Sequence, residues 1–171
     1  MIFYCQESST PKDHEASIGG KSFGKFRIET MGFQDLDEVL SIGASSLNPW
    51  SKNMFLEELK NPLAHCLMMK GEEHSIFQGV GFICFKNIGD ESELLNICVH
   101  PEYRQLGFGR HLMQFYFDFC CPYPIRTFYL EVQSSNFPAI HLYQRLSYQT
   151  IGMRKKFYQG KYDALLMAKK A

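Results

Sequence analysis

Residues 94–110 combine the side chains and spacing most suggestive of chemistry, reading L-L-N-I-C-V-H-P-E-Y-R-Q-L-G-F-G-R. An apolar, strand-like run enters a glycine-bearing turn, and a helical period begins at Phe108. Gly107 and Gly109 remove side chains where the backbone must bend tightly. Successive N–H groups and the positive end of the following helix can then face an anion. Arg104 and Arg110 bracket the turn and can add charge-assisted hydrogen bonds, while Gln105, Leu106 and Phe108 complete it. Taken alone, two glycines that merely permit a tight strand-to-helix connection are the simpler alternative. The dinucleotide fingerprint G-x-G-x-x-G is not completed, because Leu112 occupies its last glycine position, and no G-K-S/T follows for a nucleoside-triphosphate loop. What remains is R-x-x-G-x-G.

Two further segments accompany this motif. Residues 129–148 read Y-L-E-V-Q-S-S-N-F-P-A-I-H-L-Y-Q-R-L-S-Y, and residues 48–51 read N-P-W-S ahead of F-L-E-E-L at 55–59. Together the three resemble the GCN5-related N-acetyltransferase (GNAT) superfamily, whose corresponding block is L-E-V-x-x-x-N-x-x-A-x-x-L-Y-x-x-L-G-F. Within it they are similar to the RimI-type Nα-acetyltransferases of bacteria, which share the P-W-S segment. The resemblance spans about residues 26–169. It implies the GNAT fold, an α/β (α+β) domain with a mixed, mostly antiparallel sheet of about seven strands, splayed in the middle, with helices on both faces. It also implies an acetyl-CoA-dependent acyltransferase that uses no metal and acts by direct transfer in a ternary complex. The implied acceptor is a protein N-terminus, within that subfamily the alanine of a small-subunit ribosomal protein.

The resemblance carries roles residue by residue. The pantetheine arm of the cofactor would lie along Ile97, Cys98 and Val99, its amides pairing with strand groups left open by the splay. The N–H of Val99 would hold charge developing on the thioester carbonyl, and Asn136 would bind the arm through its amide. An α-amino group with pKa near ~8 is mostly protonated at neutral pH, so transfer needs a base. Glu131 alternates with Leu130 and Val132, which turns it away from their apolar face; RimI-type enzymes place their base at this position. Tyr143, two helical turns after Asn136, matches the family's acid for the leaving thiolate. Trp50 and Ser51, with Asn48 before them, and Tyr158 and Asp163 match positions near the acceptor. Each residue has a plainer alternative. These are an arginine-paired carboxylate for Glu131, a helix cap for Asn136, a core aromatic for Tyr143, packing against a helix start for Trp50 and a surface turn for Asp163. Two departures stand out: Ser147-Tyr148 replaces the usual Gly-Phe, and Cys98 a common alanine.

The elements that must position these groups follow from periodicity. Strands are expected at 26–30, 65–69, 75–86, 93–99, 127–132, 149–154 and 161–168, with a short turn at 71–73. Helices are expected at 33–47, at 51–60 with Ser51 as cap, from Phe108 to the prolines 122 and 124, and at 136–146. Leu112, Phe115, Tyr116 and Phe119 form the apolar stripe of the third helix.

With 171 residues, 45% of them hydrophobic, the chain suits one domain, assigned to 25–171. The polar stretch before it, with Pro11, Gly19 and Gly20, reads as a flexible extension over 1–24. Eighteen basic and eighteen acidic residues leave no field to attract nucleic acid. The six cysteines show no C-x-x-C spacing and read as structural thiols of a reducing cytoplasm. No apolar run approaches the ~18 residues needed to cross a bilayer, so no membrane partner is expected. The functional alternatives are acetylation of a lysine side chain, polyamine or small-molecule amine, and a non-catalytic acetyl-CoA-binding regulator.

Overall fold

Period-two runs become strands and 3.6-period runs become helices along most of the chain, which the computed structural model describes over residues 14–18, 21–73 and 76–171. The strands are β1 (His14–Ile18), β2 (Lys21–Thr30), β3 (Ala64–Glu73), β4 (Ile76–Ile88), β5 (Glu91–Val99), β6 (Thr127–Gln133), β7 (Gln149–Tyr158) and β8 (Tyr162–Lys170). The helices are α1 (Leu36–Gly43), α2 (Lys52–Lys60), α3 (Phe108–Cys120) and α4 (Phe137–Arg145). One eight-stranded sheet has the order β1-β2-β3-β4-β5-β6-β8-β7. The β5–β6 pair is parallel, with α3 as its crossover, and the other pairs are antiparallel.

Each face of the sheet carries its own core. Leu36, Val39 and Ile42 of α1 and Phe55 of α2 pack with Met68, Phe82, Cys84 and Cys98 on one side. On the other, Phe108, Leu112, Met113 and Tyr116 of α3 and Ile140 and Tyr143 of α4 pack with Ile83, Phe85, Leu94, Leu130 and Val132. Of the expected α3 stripe, Leu112 and Tyr116 are fully buried, while Phe115 and Phe119 pack at its margin. Ser51 caps α2 by accepting from the Met54 N–H, and Asn136 caps α4, with Pro138 tolerated in the first turn.

Three elements differ from expectation. The helix expected over 33–47 is a short 3-10 turn, Phe33–Asp35, followed by α1, which ends at Gly43; Leu47 is 53% exposed and takes no part in the core. The expected turn at 71–73 belongs to β3, where Gly71, Glu72 and Glu73 pair with Gln78, Phe77 and Ile76. Ladder pairing carries these residues because it is made by backbone groups and does not require apolar side chains. Part of the expected flexible extension is paired strand, β1 and the start of β2 forming an antiparallel hairpin. Residues 1–13, including Cys5, and 19–20 lie outside the described residues. Among the described residues Cys66, Cys84, Cys98 and Cys120 are buried free thiols and Cys121 is exposed.

Candidate active site

The sheet opens in its middle because two strands that begin as neighbours leave with different partners. The parallel ladder of β5 and β6 runs from Glu91↔Thr127 to Leu94↔Leu130 and stops. Beyond it β5 stays with β4 as far as Val99↔Gly81, and β6 stays with β8 as far as Gln133↔Ala164. Leu95 is the extra residue of a β-bulge at this point, since Leu94 pairs with Phe85 and Asn96 with Cys84. The bulge reverses which residues face which core: Leu94 packs toward α3, whereas Cys98 packs toward α1 and leaves Ile97 and Val99 on the α3 side.

The open edge of β5 can be read from its alternation. The His100 N–H donates to the Val80 carbonyl at 2.8 Å, so even-numbered residues turn their backbone groups to β4. Val99 and Ile97 turn theirs to the gap. Cys98 therefore does not offer backbone groups to a ligand as the resemblance implied: they face β4, and its thiol reaches back to the Ile42 carbonyl at 3.5 Å. Gly81 allows this tight lip, because a Cβ there would sit 2.7 Å from the Cys98 carbonyl oxygen and 3.3 Å from Val99 Cα.

The turn below the gap alternates in hand, with Gln105 at φ 63° and Gly107 at φ 87°. The first backbone bond of α3 runs from the His111 N–H to the Gly107 carbonyl at 3.1 Å. Phe108, Gly109 and Arg110 therefore present N–H groups that have no acceptor within the helix, at its positive end. Arg104 is engaged at the lip instead of standing free: its Nε donates to the Val99 carbonyl at 3.0 Å and Nη2 to Ser45 Oγ at 2.5 Å.

On the opposite wall Glu131 turns away from Leu130 and Val132, as alternation requires, and its carboxylate accepts from Arg154 Nη1 at 2.6 Å. The arginine-paired alternative is thus also realised. Tyr158 donates its hydroxyl to the Glu131 carbonyl at 3.3 Å; burial, then the Glu131 charge, pushes its phenol up to about 12. Tyr143 is buried, and burial followed by the nearby Tyr158 pushes its phenol well above the usual range. Its hydroxyl has no hydrogen-bond partner among the described residues. Asn136 spends its Oδ1 on the Ala139 N–H at 3.4 Å as a cap, leaving its amide nitrogen available.

Gln133 was not anticipated. It lies on the same strand face as Glu131, is 5% exposed, accepts from Asn48 Nδ2 at 2.8 Å and donates to Ser135 Oγ at 2.6 Å. It thereby ties the α1–α2 loop to β6. The signal was a third polar side chain one alternation beyond Glu131. Other residues proposed near the acceptor have structural partners: Trp50 stacks edge-to-face on Phe55 at 5.2 Å, Ser51 is the α2 cap, and Asp163 of β8 holds Lys155 Nζ at 3.1 Å and the Lys156 N–H at 2.8 Å across the β7–β8 hairpin.

Comparison with known proteins bears on this geometry. Residues 34–148 match the acetyltransferase (GNAT) family. The chain belongs to that family. It is 35% identical over 146 residues to the candidate ribosomal protein bS18-alanine N-acetyltransferase of Bacillus subtilis, covering 84% of this chain and 94% of that protein. It is 31% identical over 129 residues to the ribosomal protein bS18-alanine N-acetyltransferase of Escherichia coli K12, covering 70% and 80%. The crystal structure of the Escherichia coli ribosomal-protein-S18-alanine N-acetyltransferase superposes with a TM-score of 0.75 at 27% identity, over 85% of this chain and 93% of that one. Arabidopsis thaliana NAA60 in complex with acetyl-CoA shares the fold, with a TM-score of 0.74 at 20% identity over 85% and 98%. This GNAT chain is therefore an acyltransferase whose splayed sheet is that of its RimI-type relatives. Among its described residues no helix is long and apolar enough to cross a membrane, and no three His, Cys, Asp or Glu side chains cluster as metal ligands would.

Proposed function

We propose that this GNAT enzyme transfers an acetyl group from acetyl-CoA to the N-terminal α-amino group of a protein, with a ribosomal-protein alanine as acceptor, by direct transfer in a ternary complex. The observation that carries the reading is the gap between β5 and β6, with open strand groups on one wall and Glu131 on the other, Tyr143 lying in the α4 core near Tyr158, which hydrogen-bonds the Glu131 backbone. The names of the relatives support the choice of acceptor. Catalysis is assigned to residues 25–171, with 1–24 outside the catalytic unit, in keeping with the family match over 34–148. The buried, unpaired thiols suit the reducing cytoplasm.

The residues present fit acetyl-CoA. Ile97 and Val99 can pair with an amide-bearing arm, Gly81 keeps the lip tight, and the N–H groups from Gln105 to Arg110 suit a pyrophosphate. Acetyl-CoA supplies the acetyl group as an activated thioester. The Val99 N–H faces the gap and can stabilise negative charge on a carbonyl oxygen there. Glu131 accepts the proton of the incoming amine, directly or through water, while Arg154 and Tyr158 fix its side chain and backbone. Tyr143 remains protonated because burial disfavours its phenolate, so its hydroxyl is in the form that can donate a hydrogen bond to a departing thiolate. Incubating ribosomal-protein peptides with acetyl-CoA, with free and with blocked N-termini, tests the reading by mass spectrometry. A 1:1 acetyl adduct confined to the free N-terminus is expected; labelling only of internal lysines would overturn it.

A further inference from the structure

The loop between α1 and α2 is held to both walls of the gap by polar contacts. Residues 44–48 contribute no side chain to either core, and Leu47 among them is 53% exposed. Apolar burial therefore does not place this segment. Ser45 Oγ accepts from Arg104 Nη2 at 2.5 Å, and Arg104 Nε is fixed on the Val99 carbonyl at the open end of β5. Asn48 Nδ2 donates to Gln133 Oε1 at 2.8 Å, at the far end of β6. One anchor thus belongs to each wall.

β5 and β6 pair no further than Leu94↔Leu130, and the loop reconnects them beyond that point. Ser45 and Asn48 are three residues apart, at most ~11 Å of chain, enough to cross strands that part from ~4.8 Å. Gln133 suits the anchor because both ends of its amide are used. Oε1 takes Asn48 while Nε2 donates to Ser135 Oγ at 2.6 Å, so a side chain only 5% exposed keeps partners for its oxygen and its nitrogen. Its backbone is committed separately, the Gln133 carbonyl accepting from the Asn136 N–H at 2.8 Å. The side chain can therefore change while Asn136 stays in place. Gln133 is one alternation from Glu131 on the same face, ~7 Å along β6, so the loop passes beside the proposed base. We propose that Gln133 and Ser45 are positioning residues that hold 45–48 as a strap over the gap and so set the mouth through which the amine reaches Glu131. The proposal rests on acetyl transfer taking place in that gap.

The test uses the full chain with acetyl-CoA and an alanine-initiated peptide. Gln133→Met keeps the length of the side chain and removes its amide. Ser45 is exposed, so Ser45→Ala loosens the other anchor without touching the interior. Each should raise KM for the peptide about threefold to tenfold, the worth of one hydrogen bond. KM for acetyl-CoA should stay within about twofold and the pH profile of kcat should not shift. A strap freed at one end is free, so the double variant should raise the peptide KM no further than the larger single effect, whereas independent contacts would multiply. Asn48→Gln with Gln133→Asn moves one methylene across the bond and should return the peptide KM to within about twofold of the parent. An unchanged peptide KM in either single variant, equal rises for peptide and acetyl-CoA, or multiplying effects overturns the proposal. Backbone hydrogen exchange over 44–48 reads the strap whichever amine is acetylated: it should quicken in both single variants, and unchanged exchange overturns the proposal. Failure of the unaltered chain to acetylate a free N-terminus would instead remove the acceptor class, with exchange left to decide the strap.

Discussion

Replacing Glu131 with glutamine isolates the proposed proton transfer from everything else the side chain does. Glutamine keeps the shape and one oxygen for the Arg154 guanidinium, which now sits 2.6 Å from the carboxylate. The Arg154 side chain is 53% exposed, so water screens the pair and its loss should cost at most about 1 kcal/mol of stability. The cofactor side of the gap is built from β5 and the α3 turn, which the substitution does not touch. KM for acetyl-CoA should therefore stay within about twofold, while kcat at neutral pH falls by ~10²-fold or more, the usual worth of a general base. At pH 7 only about a tenth of an α-amine of pKa near 8 is neutral, and at pH 9 about nine tenths is, so the variant should recover roughly tenfold over that range. Steady-state transfer to a free-N-terminal peptide between pH 6.5 and 9 measures all three quantities. A kcat within about threefold of the parent at pH 7 would refute the reasoning, since a positioned base contributes far more than that.

Tyr143→Phe should lower kcat by ~10²-fold, yet move thermal stability by less than about 1 kcal/mol, because the hydroxyl has no hydrogen-bond partner among the described residues to lose; initial rates and thermal unfolding check both. Gly81→Ala sets a methyl group 2.7 Å from the Cys98 carbonyl oxygen, so it should destabilise the chain by ~1–3 kcal/mol and raise KM for acetyl-CoA several-fold. An unchanged KM would place the lip outside the cofactor site. Asp35 is buried; desolvation works against its charge, but hydrogen bonds from Lys70 and the Gly32 N–H, with the Lys70 charge, hold its carboxyl below the ordinary 3.8. A folded pKa below the unfolded one means stabilisation that is complete above about pH 4 to 5 and lost as pH falls through 3.8 and below. Urea midpoints measured from pH 6 to pH 2.5 should therefore fall less steeply in Asp35→Asn than in the parent.

Much of this was legible in the chain. Alternation at Leu130, Glu131 and Val132 fixed the face of the carboxylate before any strand pairing was known, because side chains on a strand alternate strictly. Gly107 was correctly read as a point of unusual backbone, and Ser147, which replaces the glycine of the pattern this segment resembles, adopts φ 69°. The helix end at Gly43 was missed because Leu47 continued the apolar period without joining either core. The turn at 71–73 was misplaced because Gly71 and two glutamates look like a loop, yet an antiparallel ladder accepts them. Cys98 was assigned with its neighbours Ile97 and Val99, since a linear sequence does not reveal that a bulge at Leu95 changes which residues face the gap.

Sequence by itself determined the inventory: a phosphate-suited turn, a carboxylate in an apolar strand, a tyrosine two turns into a helix, and the elements that carry them. Those are local properties, set by residue type, spacing and backbone preference within a few residues. Only the tertiary structure decided that β5 and β6 part after Leu94 and Leu130, that Arg154 meets Glu131, that Gln133 anchors Asn48, and that Arg104 meets Ser45. Each of those contacts joins separate elements, and their meeting depends on strand order and register, which no short stretch of chain encodes.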